Sequence, residues 1–488
     1  MTGLRLSEVA AALRAAELLM DSRGPGDPLV HGVAQDSRTV GSGDLFVAWR
    51  GFHADAHDFL AEAAEAGAVA AVVERAVPEV PVPQLLVRDG RLAGALAANR
   101  VLGDPSAELF LVAITGTNGK TTTALLARHL LSGAGPAAAI GTLGVLGPDA
   151  ALCPDTEGLT TPGPVQLVRW LRQLSDEGVR SVTMEASSHA LSQRRLDALR
   201  FDVAVFTNLT QDHLDFHGDL EAYFRAKARL VELLAGDGTL VVNLDAGAWD
   251  RIRWRGRTLT FSLERDADLR ARNVRLDAAG SRFRLETVRA SAEVELPLLG
   301  RFNVENALAA AAAALVGGLT LTDVAAGLAD APQVPGRLER VSWTPVPVLI
   351  DFAHTPDALA GVLATLRPLV EGRLLVVFGA GGERDRTKRR PMSEAVARVA
   401  DTVILTSDNP RNEDPERILD DLEPGLEGVA YERIADRRSA IARALELARP
   451  RDLVLLAGKG HERYQLVGSE KRPFDERLVV RELLEGAA

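Results

Sequence analysis

Sulfur pairing is excluded at the outset. The chain has one cysteine, Cys153, in 488 residues, so no intramolecular disulfide can form, which fits a reducing compartment. An excess of basic residues is also missing. Lys and Arg number 56 against 67 Asp and Glu, a net charge of −11, which argues against a general binder of nucleic acid or of anionic membranes. Long apolar runs are absent too. The Ala-rich stretch Ala307 to Leu315 is too short to span a bilayer. The first residues, MTGLRLSEVAAALRAAELL, read as an amphipathic helix carrying acidic residues and lacking the apolar core of a signal peptide. No internal repeat is visible at solenoid periods. A soluble, unexported, cytoplasmic protein is expected, a monomer with no nucleic-acid partner and no membrane insertion.

What is present begins with ordinary globular composition, 47% hydrophobic and 25% charged. The length suggests about three domains. The most informative stretch is ITGTNGKTTT, Ile114 to Thr123, set between an apolar run, Leu109 to Ile114, and a helical pattern, Ala124 to Leu131. Strand, glycine loop and helix form the context of a phosphate-binding loop. Gly116 and Gly119 let backbone N–H groups approach phosphate oxygens, with Thr117 and Asn118 between them and Thr122 following. The helix N-terminus adds the positive end of its dipole. Lys120 supplies a point charge for β- and γ-phosphates, and the Thr121 hydroxyl suits Mg²⁺. The usual first glycine is replaced by Ile114. ATP or GTP binding follows; the plain alternative is a tight strand–helix turn with an exposed lysine.

Two breaks divide the chain, LGDPSA (Leu102–Ala107) and QVPG (Gln333–Gly336), giving parts 1–106, 107–335 and 336–488. Six short apolar runs end in polar, site-like tails: Val182–Met184 in Glu185, Val203–Phe206 in TNLTQDH, Val348–Ile350 in DFAHTPD, Leu374–Phe378 in GAGGERDR, Val403–Leu405 in TSDNPRNEDP, and Leu453–Leu456 in AGKGHE. Short β-branched runs separated by helical patterns predict α/β domains with parallel sheets, whose ligands bind beyond the carboxyl ends of the strands. A tail that only caps the next helix is the alternative for each one singly. Arg384, Arg386, Lys388, Arg389 and Arg390 form a local basic cluster suited to an anionic substrate.

GTNGKTT, MEASSHAL, FTNLTQDHLDFHG, the lysine of YFRAKARL, FNVENALAA, PGRLE and DFAHTPDAL follow one another in the order seen in the Mur ligases, and the chain resembles that family over nearly its whole length. QDSRTVGSGDLFVA, SDNPRNEDP and GKGHERYQ resemble, more narrowly, the members that add the third amino acid of the peptidoglycan precursor. The resemblance implies an N-terminal UDP-binding α/β domain, a central P-loop ATPase domain with a parallel sheet, and a C-terminal Rossmann-like domain. It implies an ATP-dependent amide ligase that phosphorylates a carboxylate of UDP-N-acetylmuramoyl-L-alanyl-D-glutamate to an acyl phosphate, which an amine then attacks. Phosphoryl transfer of this kind depends on positioning and charge neutralisation.

By resemblance, two Mg²⁺ ions are held by Thr121, Glu185, His213 and Lys227, the lysine carrying a carbamate derived from CO₂. Mg²⁺ prefers oxygen, so chemistry alone would not choose His213. A hydrogen-bonded structural histidine and a solvated helix lysine are the plain readings of His213 and Lys227. Asn306 is expected near the adenine, Arg337 at the γ-phosphate, Asp351 at the ribose with His354 nearby, and Lys388 at phosphate, contacts that would couple ATP binding to domain closure. Gln35 and Ser37 are expected at the uracil, with Phe52, His53 and Ala54 close by. Thr160, Thr161, Ser187, Gln193 and Arg195 are expected along the path of this substrate. A loop Ser or Thr is otherwise a turn or cap.

The amino acid to be added is expected at Arg384, Asp408, Asn409, Pro410, Arg411, Gly458 and Glu462. Arg384 would hold the α-carboxylate, Asp408 and Asn409 an amine, Glu462 with Gly458 the far amino group, and Arg411 a distal carboxylate in bidentate fashion. A distal carboxylate favours meso-diaminopimelate over L-lysine or L-ornithine, unless Arg411 is engaged by Glu413 or Asp414. A sister ligase and a regulatory NTP-binding protein on the same fold are the competing readings.

Overall fold

The β-branched runs fold as strands, and each polar tail leaves a strand's carboxyl end. The computed structural model describes residues 3–51, 54–153, 156, 158–342 and 346–486. Phe52 and His53 therefore lie outside the described residues. The chain forms two compact units, one of Met1–Arg272, Leu285–Ala292 and Glu305–Gly327, the other of Asn273–Arg284, Glu293–Val304 and Leu328–Ala488.

In the first unit, Ser181–Glu185 pairs in parallel with Phe110–Thr115, which pairs in parallel with Phe201–Phe206. Ala137–Gly141 and Leu234–Asn243 extend this sheet on either side, again in parallel. The three middle strands are almost wholly buried, as expected where helices cover both faces of a parallel sheet. Because the strands run the same way, Glu185 stands beside Ile114 and Phe206 beside Thr115. The phosphate loop, Glu185 and the TNLTQDH tail thus leave the sheet at one edge, which is how residues scattered over about a hundred positions come to share a site.

A smaller sheet in the same unit has the order Leu19–Arg23, Gln84–Val87, Ala70–Val73, Asp44–Ala48, Gly32–Ala34, parallel except at its first pair. The N-terminal amphipathic pattern forms the helix Leu6–Ala15, which buries Leu6, Val9, Ala10 and Leu13. Helix Gly90–Val101 packs on helix Pro164–Asp176, and one hydrophobic cluster continues from Leu6 and Val47 through Ala97 to Leu111 and Leu171. The alanines 307 to 314 are fully buried in the helix Arg301–Val316, where small side chains permit close packing. No helix among the described residues is long and apolar enough to cross a membrane.

The second unit is built on a sheet ordered Glu339–Ser342, Val348–Asp351, Leu453–Ala457, Leu374–Phe378, Thr402–Leu405, Ala430–Arg433, antiparallel only at its first pair. The DFAHTPD, GAGGERDR, TSDNPRNEDP and AGKGHE tails all leave it at the carboxyl ends of its parallel strands.

Candidate active site

The phosphate loop is built so that nothing larger than hydrogen fits at two places. Gly116 has φ +152°, and a Cβ there would collide with Thr207 Oγ1. Gly119, which precedes the helix Lys120–Leu131, has φ +84°, and a Cβ there would collide with the Asn306 side chain. The TNLT tail staples the loop. Thr207 Oγ1 donates to Asn118 O (2.8 Å), the Asn118 N–H donates to Asn208 Oδ1 (2.9 Å), and Thr117 Oγ1 donates to Thr210 O (3.0 Å). Asn306 is buried with its Oδ1 3.4 Å from Thr123 Oγ1. It is packed onto the loop from the interior of its helix rather than placed at a helix end. Lys120 folds back, donating to the carbonyls of Gly116 (3.0 Å) and Thr117 (2.8 Å). Thr121 and Thr122 are buried in the first helical turn.

Lys227 is no solvated lysine. It is 1% exposed, its Nζ donates to Gly116 O at 2.6 Å, and it lies 4.5 Å from the centre of the Tyr223 ring. Burial, reinforced by the charge of Lys120, holds its amine well below the usual lysine value. An amine whose protonation is disfavoured in this way is more nucleophilic than that of an ordinary lysine. Tyr223, four residues earlier and so on the same face of helix Leu220–Ala228, reaches Thr117 Oγ1 at 3.4 Å.

Glu185 is also buried. Its carboxylate accepts from the Thr142 N–H (2.8 Å) and the Thr142 hydroxyl (3.1 Å), which orient it at the strand end. The expected substrate path is one hydrogen-bonded cluster beside it. Thr161 Oγ1 donates to Glu185 O at 2.8 Å and lies 3.1 Å from Ser187 Oγ, and Thr160 Oγ1 is 3.3 Å from Thr142 Oγ1. Arg195 donates to Thr161 O (2.7 Å) and to Gln193 Oε1 (2.7 Å). Ser187 also caps its helix through Ala190 N–H, so it fills the plain role as well. The Gln35 amide lies against Gly163. Ser37 opens a 3-10 turn capped by Asp36, and the Ala54 carbonyl accepts from the Gly51 N–H.

His213 takes a left-handed backbone, φ +54°, and its Nε2 is 3.5 Å from Asp212 Oδ2. It belongs to a trio that the sequence reading did not single out. The His189 ring is 4.9 Å from that of His213 and 5.5 Å from that of His217, and it lies tilted against Phe216 with ring centres 4.2 Å apart. Burial holds all three imidazoles below their usual value, and the neighbouring His213 and His217 help bring His189 to about 4.

In the second unit the amino-acid motifs converge. Asn409 Nδ2 donates to Glu462 Oε2 at 2.8 Å, and the Asp408 carboxylate lies against Gly458. Pro410 is buried beside Gly382. Arg411 does not pair with Glu413 or Asp414 in the way the plain reading allows. It donates to Gly382 O (2.8 Å), and Glu413 is held by Arg389 and Arg386. Its backbone is pinned at φ +54°, its N–H donating to Leu466 O (2.9 Å) and its carbonyl accepting from Gly468 N–H (2.7 Å). The Arg384 Cγ and the Arg411 guanidinium both lie against Gly381, and Arg384 lines an open cleft of about 540 Å³.

Asp351 is a backbone cap. Its carboxylate accepts from the N–H groups of Leu338 and Ala353, both at 2.8 Å, and burial raises its pKa. Arg337 lies over the Phe352 ring at 4.8 Å, and Lys388 donates to His354 O at 3.2 Å. Among the described residues no group of three or more His, Cys, Asp and Glu side chains could by itself hold a metal ion. Thr142, the Thr207–Thr210 staple, Tyr223 and Lys459 are additional residues of these clusters. The only advance signals were that TNLT and GKGHE stood inside site-like tails, and that Tyr223 and Lys227 are four apart.

Three segments match known families: residues 29–100 the Mur ligase family, catalytic domain; 114–314 the Mur ligase middle domain; and 336–460 the Mur ligase, glutamate ligase domain. The UDP-N-acetylmuramoyl-L-alanyl-D-glutamate--2,6-diaminopimelate ligase of Bacillus velezensis is 42% identical over 463 residues, covering 93% of this chain and 94% of that protein. That of Solibacter usitatus is 45% identical over 466 residues, 94% of each chain. A solved structure of a ligase of the same name superposes with a TM-score of 0.71 at 35% identity, over 100% of this chain and 99% of the other.

Proposed function

Because the chain belongs to the Mur ligase family, we propose that it joins meso-diaminopimelate to UDP-N-acetylmuramoyl-L-alanyl-D-glutamate at the expense of ATP, in peptidoglycan synthesis. The observation that carries the reading is the grouping of Asn409, Glu462 and Arg411 on two strand tails of one sheet, with Arg411 kept clear of Glu413 and Asp414. An amine acceptor beside an arginine suits a substrate end that bears both an amine and a carboxylate. The names of the relatives point to the same amino acid.

The γ-phosphoryl group of ATP passes to the substrate carboxylate, giving an acyl phosphate and ADP. The amine of the amino acid attacks the carbonyl carbon, the C–O bond to phosphate breaks, and phosphate and a proton leave. Backbone N–H groups of Gly116–Thr122 and the Lys120 ammonium cradle the phosphates, and Asn306, packed on the loop, is assigned to the adenine side. Arg337, Asp351 and Lys388 are further assigned to ATP. Gln35, Ser37 and Ala54, then Thr160, Thr161, Ser187, Gln193 and Arg195, are assigned to the nucleotide-sugar substrate. Residues 1–106, 107–335 and 336–488 are taken as the three functional parts.

The donor set fits Mg²⁺, which is commonly held by one or two carboxylates together with substrate phosphates rather than by an all-protein cage. Glu185, oriented by Thr142, the Thr121 hydroxyl and the neutral imidazole of His213 would hold two ions, with a CO₂-derived carbamate on Lys227. Bound there, magnesium would screen the triphosphate from the incoming carboxylate. An unprotonated amine is the form that takes up CO₂, and burial shifts Lys227 toward it. The reading carries with it a monomeric enzyme working in the cytoplasm.

The test is phosphate release with the UDP-muramoyl dipeptide and a panel of meso-diaminopimelate, L-lysine and L-ornithine. Turnover is expected only with both substrates and fastest with diaminopimelate. Faster turnover with lysine or ornithine would show Arg411 misassigned, and ATP hydrolysis indifferent to both substrates would sink the ligase reading.

A further inference from the structure

Lys459 has no part in the reaction as described, yet its side chain is fully buried within the amino-acid cluster. Its Nζ donates to Asn409 Oδ1 at 3.0 Å and to Glu462 Oε2 at 2.9 Å. Asn409 Nδ2 donates to that same Glu462 oxygen, and the Leu466 N–H donates to Asn409 Oδ1 at 2.9 Å. The three side chains form a closed triangle at the carboxyl end of strand Leu453–Ala457. One member, Glu462, is assigned to the substrate's far amino group, and another, Asn409, to an amine of the substrate.

A buried ammonium has to be paired, and Glu462 supplies the pairing. The carboxylate that would receive a substrate ammonium is therefore already matched by an internal one. A second ammonium brought to Glu462 meets a half-neutralised partner and a like charge next to it, and at short range in a poorly solvated site that repulsion offsets the attraction. A distal carboxylate meets the opposite situation, because the Arg411 guanidinium, which lies against Gly381 and donates to Gly382 O, is paired with neither Glu413 nor Asp414. We propose that Lys459 is a specificity-determining positioning residue, which locks Asn409 and Glu462 together and, by neutralising Glu462, makes a distal carboxylate on the amino acid obligatory. The inference rests on the assignment of Asn409, Arg411 and Glu462 to the added amino acid.

Three amino acids separate the contributions in the unaltered enzyme. meso-Diaminopimelate carries both distal groups, L-2-aminopimelate only the carboxylate, and L-lysine only the amine. Loss of the amine is expected to lower kcat/KM by less than about tenfold, and loss of the carboxylate by more than about a hundredfold. Lys459→Met should then narrow the ratio of diaminopimelate to lysine by about tenfold or more, with the KM for ATP as internal reference and thermal melting as the check on folding. A ratio unchanged in the folded variant would overturn the inference. So would lysine proving a better substrate than 2-aminopimelate for the unaltered enzyme, a result that needs no variant and decides alone if Lys459→Met does not fold. If diaminopimelate itself is not turned over, the underlying reading of the site fails instead.

Discussion

The phosphate loop and the DNPR–GKGHE cluster both gather cations, but they settle the charge in opposite ways. In the loop the cations lean on backbone carbonyls, Lys120 on Gly116 and Thr117, and Lys227 on Gly116. A carbonyl satisfies a hydrogen bond without cancelling a charge. Burial next to the Lys120 charge holds the Lys227 amine well below the usual lysine value. In the second unit the buried cations Lys459, Arg389 and Arg437 lean on carboxylates: Lys459 on Glu462, Arg389 on Glu413 and Asp421, and Arg437 on Glu476. The first region thus anchors its amines on the backbone of the loop itself. The second is balanced at these pairs before any ligand arrives, and Arg411, which leans on the Gly382 carbonyl, is left to meet a carboxylate.

The sharpest way to break this contrast is Lys227→Met, which keeps the volume and removes the amine. Activity is expected to fall on the order of 10²- to 10³-fold, while the melting temperature of protein prepared without bicarbonate does not fall, since a buried polar amine is replaced by an apolar chain. Near-normal phosphate release by the variant would remove Lys227 from the mechanism.

A second measurement tests the balanced side. Arg437 and Glu476 are both fully buried, and Arg437 also donates to Ser407 O (3.2 Å) and Ala457 O (2.9 Å), the residues just before Asp408 and Gly458. Arg437→Met strands the Glu476 charge and should cost about 3–5 kcal/mol in chemical denaturation. Adding Glu476→Leu should recover most of that stability. A single variant as stable as the parent would mean that carboxylate pairing does not hold this region together.

The smallest effect is a pH limb. His461 packs on the Phe352 ring (4.9 Å) with its Nδ1 buried and unpartnered, and burial, with Arg337, Arg477 and Lys459 nearby, brings its pKa to about 3. An unfolded histidine takes up its proton near 6.5. Between those values the unfolded chain binds the extra proton, so stability falls as pH drops from about 6.5 toward about 3. His461→Gln should flatten that limb, and an unaltered limb would place the acid sensitivity elsewhere.

Much of the scaffold was legible because parallel strands announce themselves. Leu374–Phe378 folds over the residues predicted, and Val403–Leu405 differs by one residue at its start. The loop's helix begins at Lys120, four residues before its apolar pattern, because a threonine run leaves no apolar mark. The site was legible where one motif carries its own chemistry, as in Lys120 or Glu185. It was not legible where function depends on a contact made across the chain. Thr207 holds Asn118 across a sequence separation of 89, and no local pattern encodes that bond. Lys227 reads as solvated because most lysines are, and only the fold buries it. Asp351 shows the reverse, a conspicuous strand-end carboxylate whose visible work is to cap Leu338 and Ala353.

Arg411 holds a left-handed backbone, φ +54°. For a residue with a Cβ that conformation costs roughly 1–2 kcal/mol, and glycine or asparagine would relieve it. A thermostability screen of this protein should therefore enrich Arg411→Gly and Arg411→Asn among its winners, and each such winner would have discarded the guanidinium assigned to the amino acid. Selection by heat and selection by growth would pull this one codon in opposite directions.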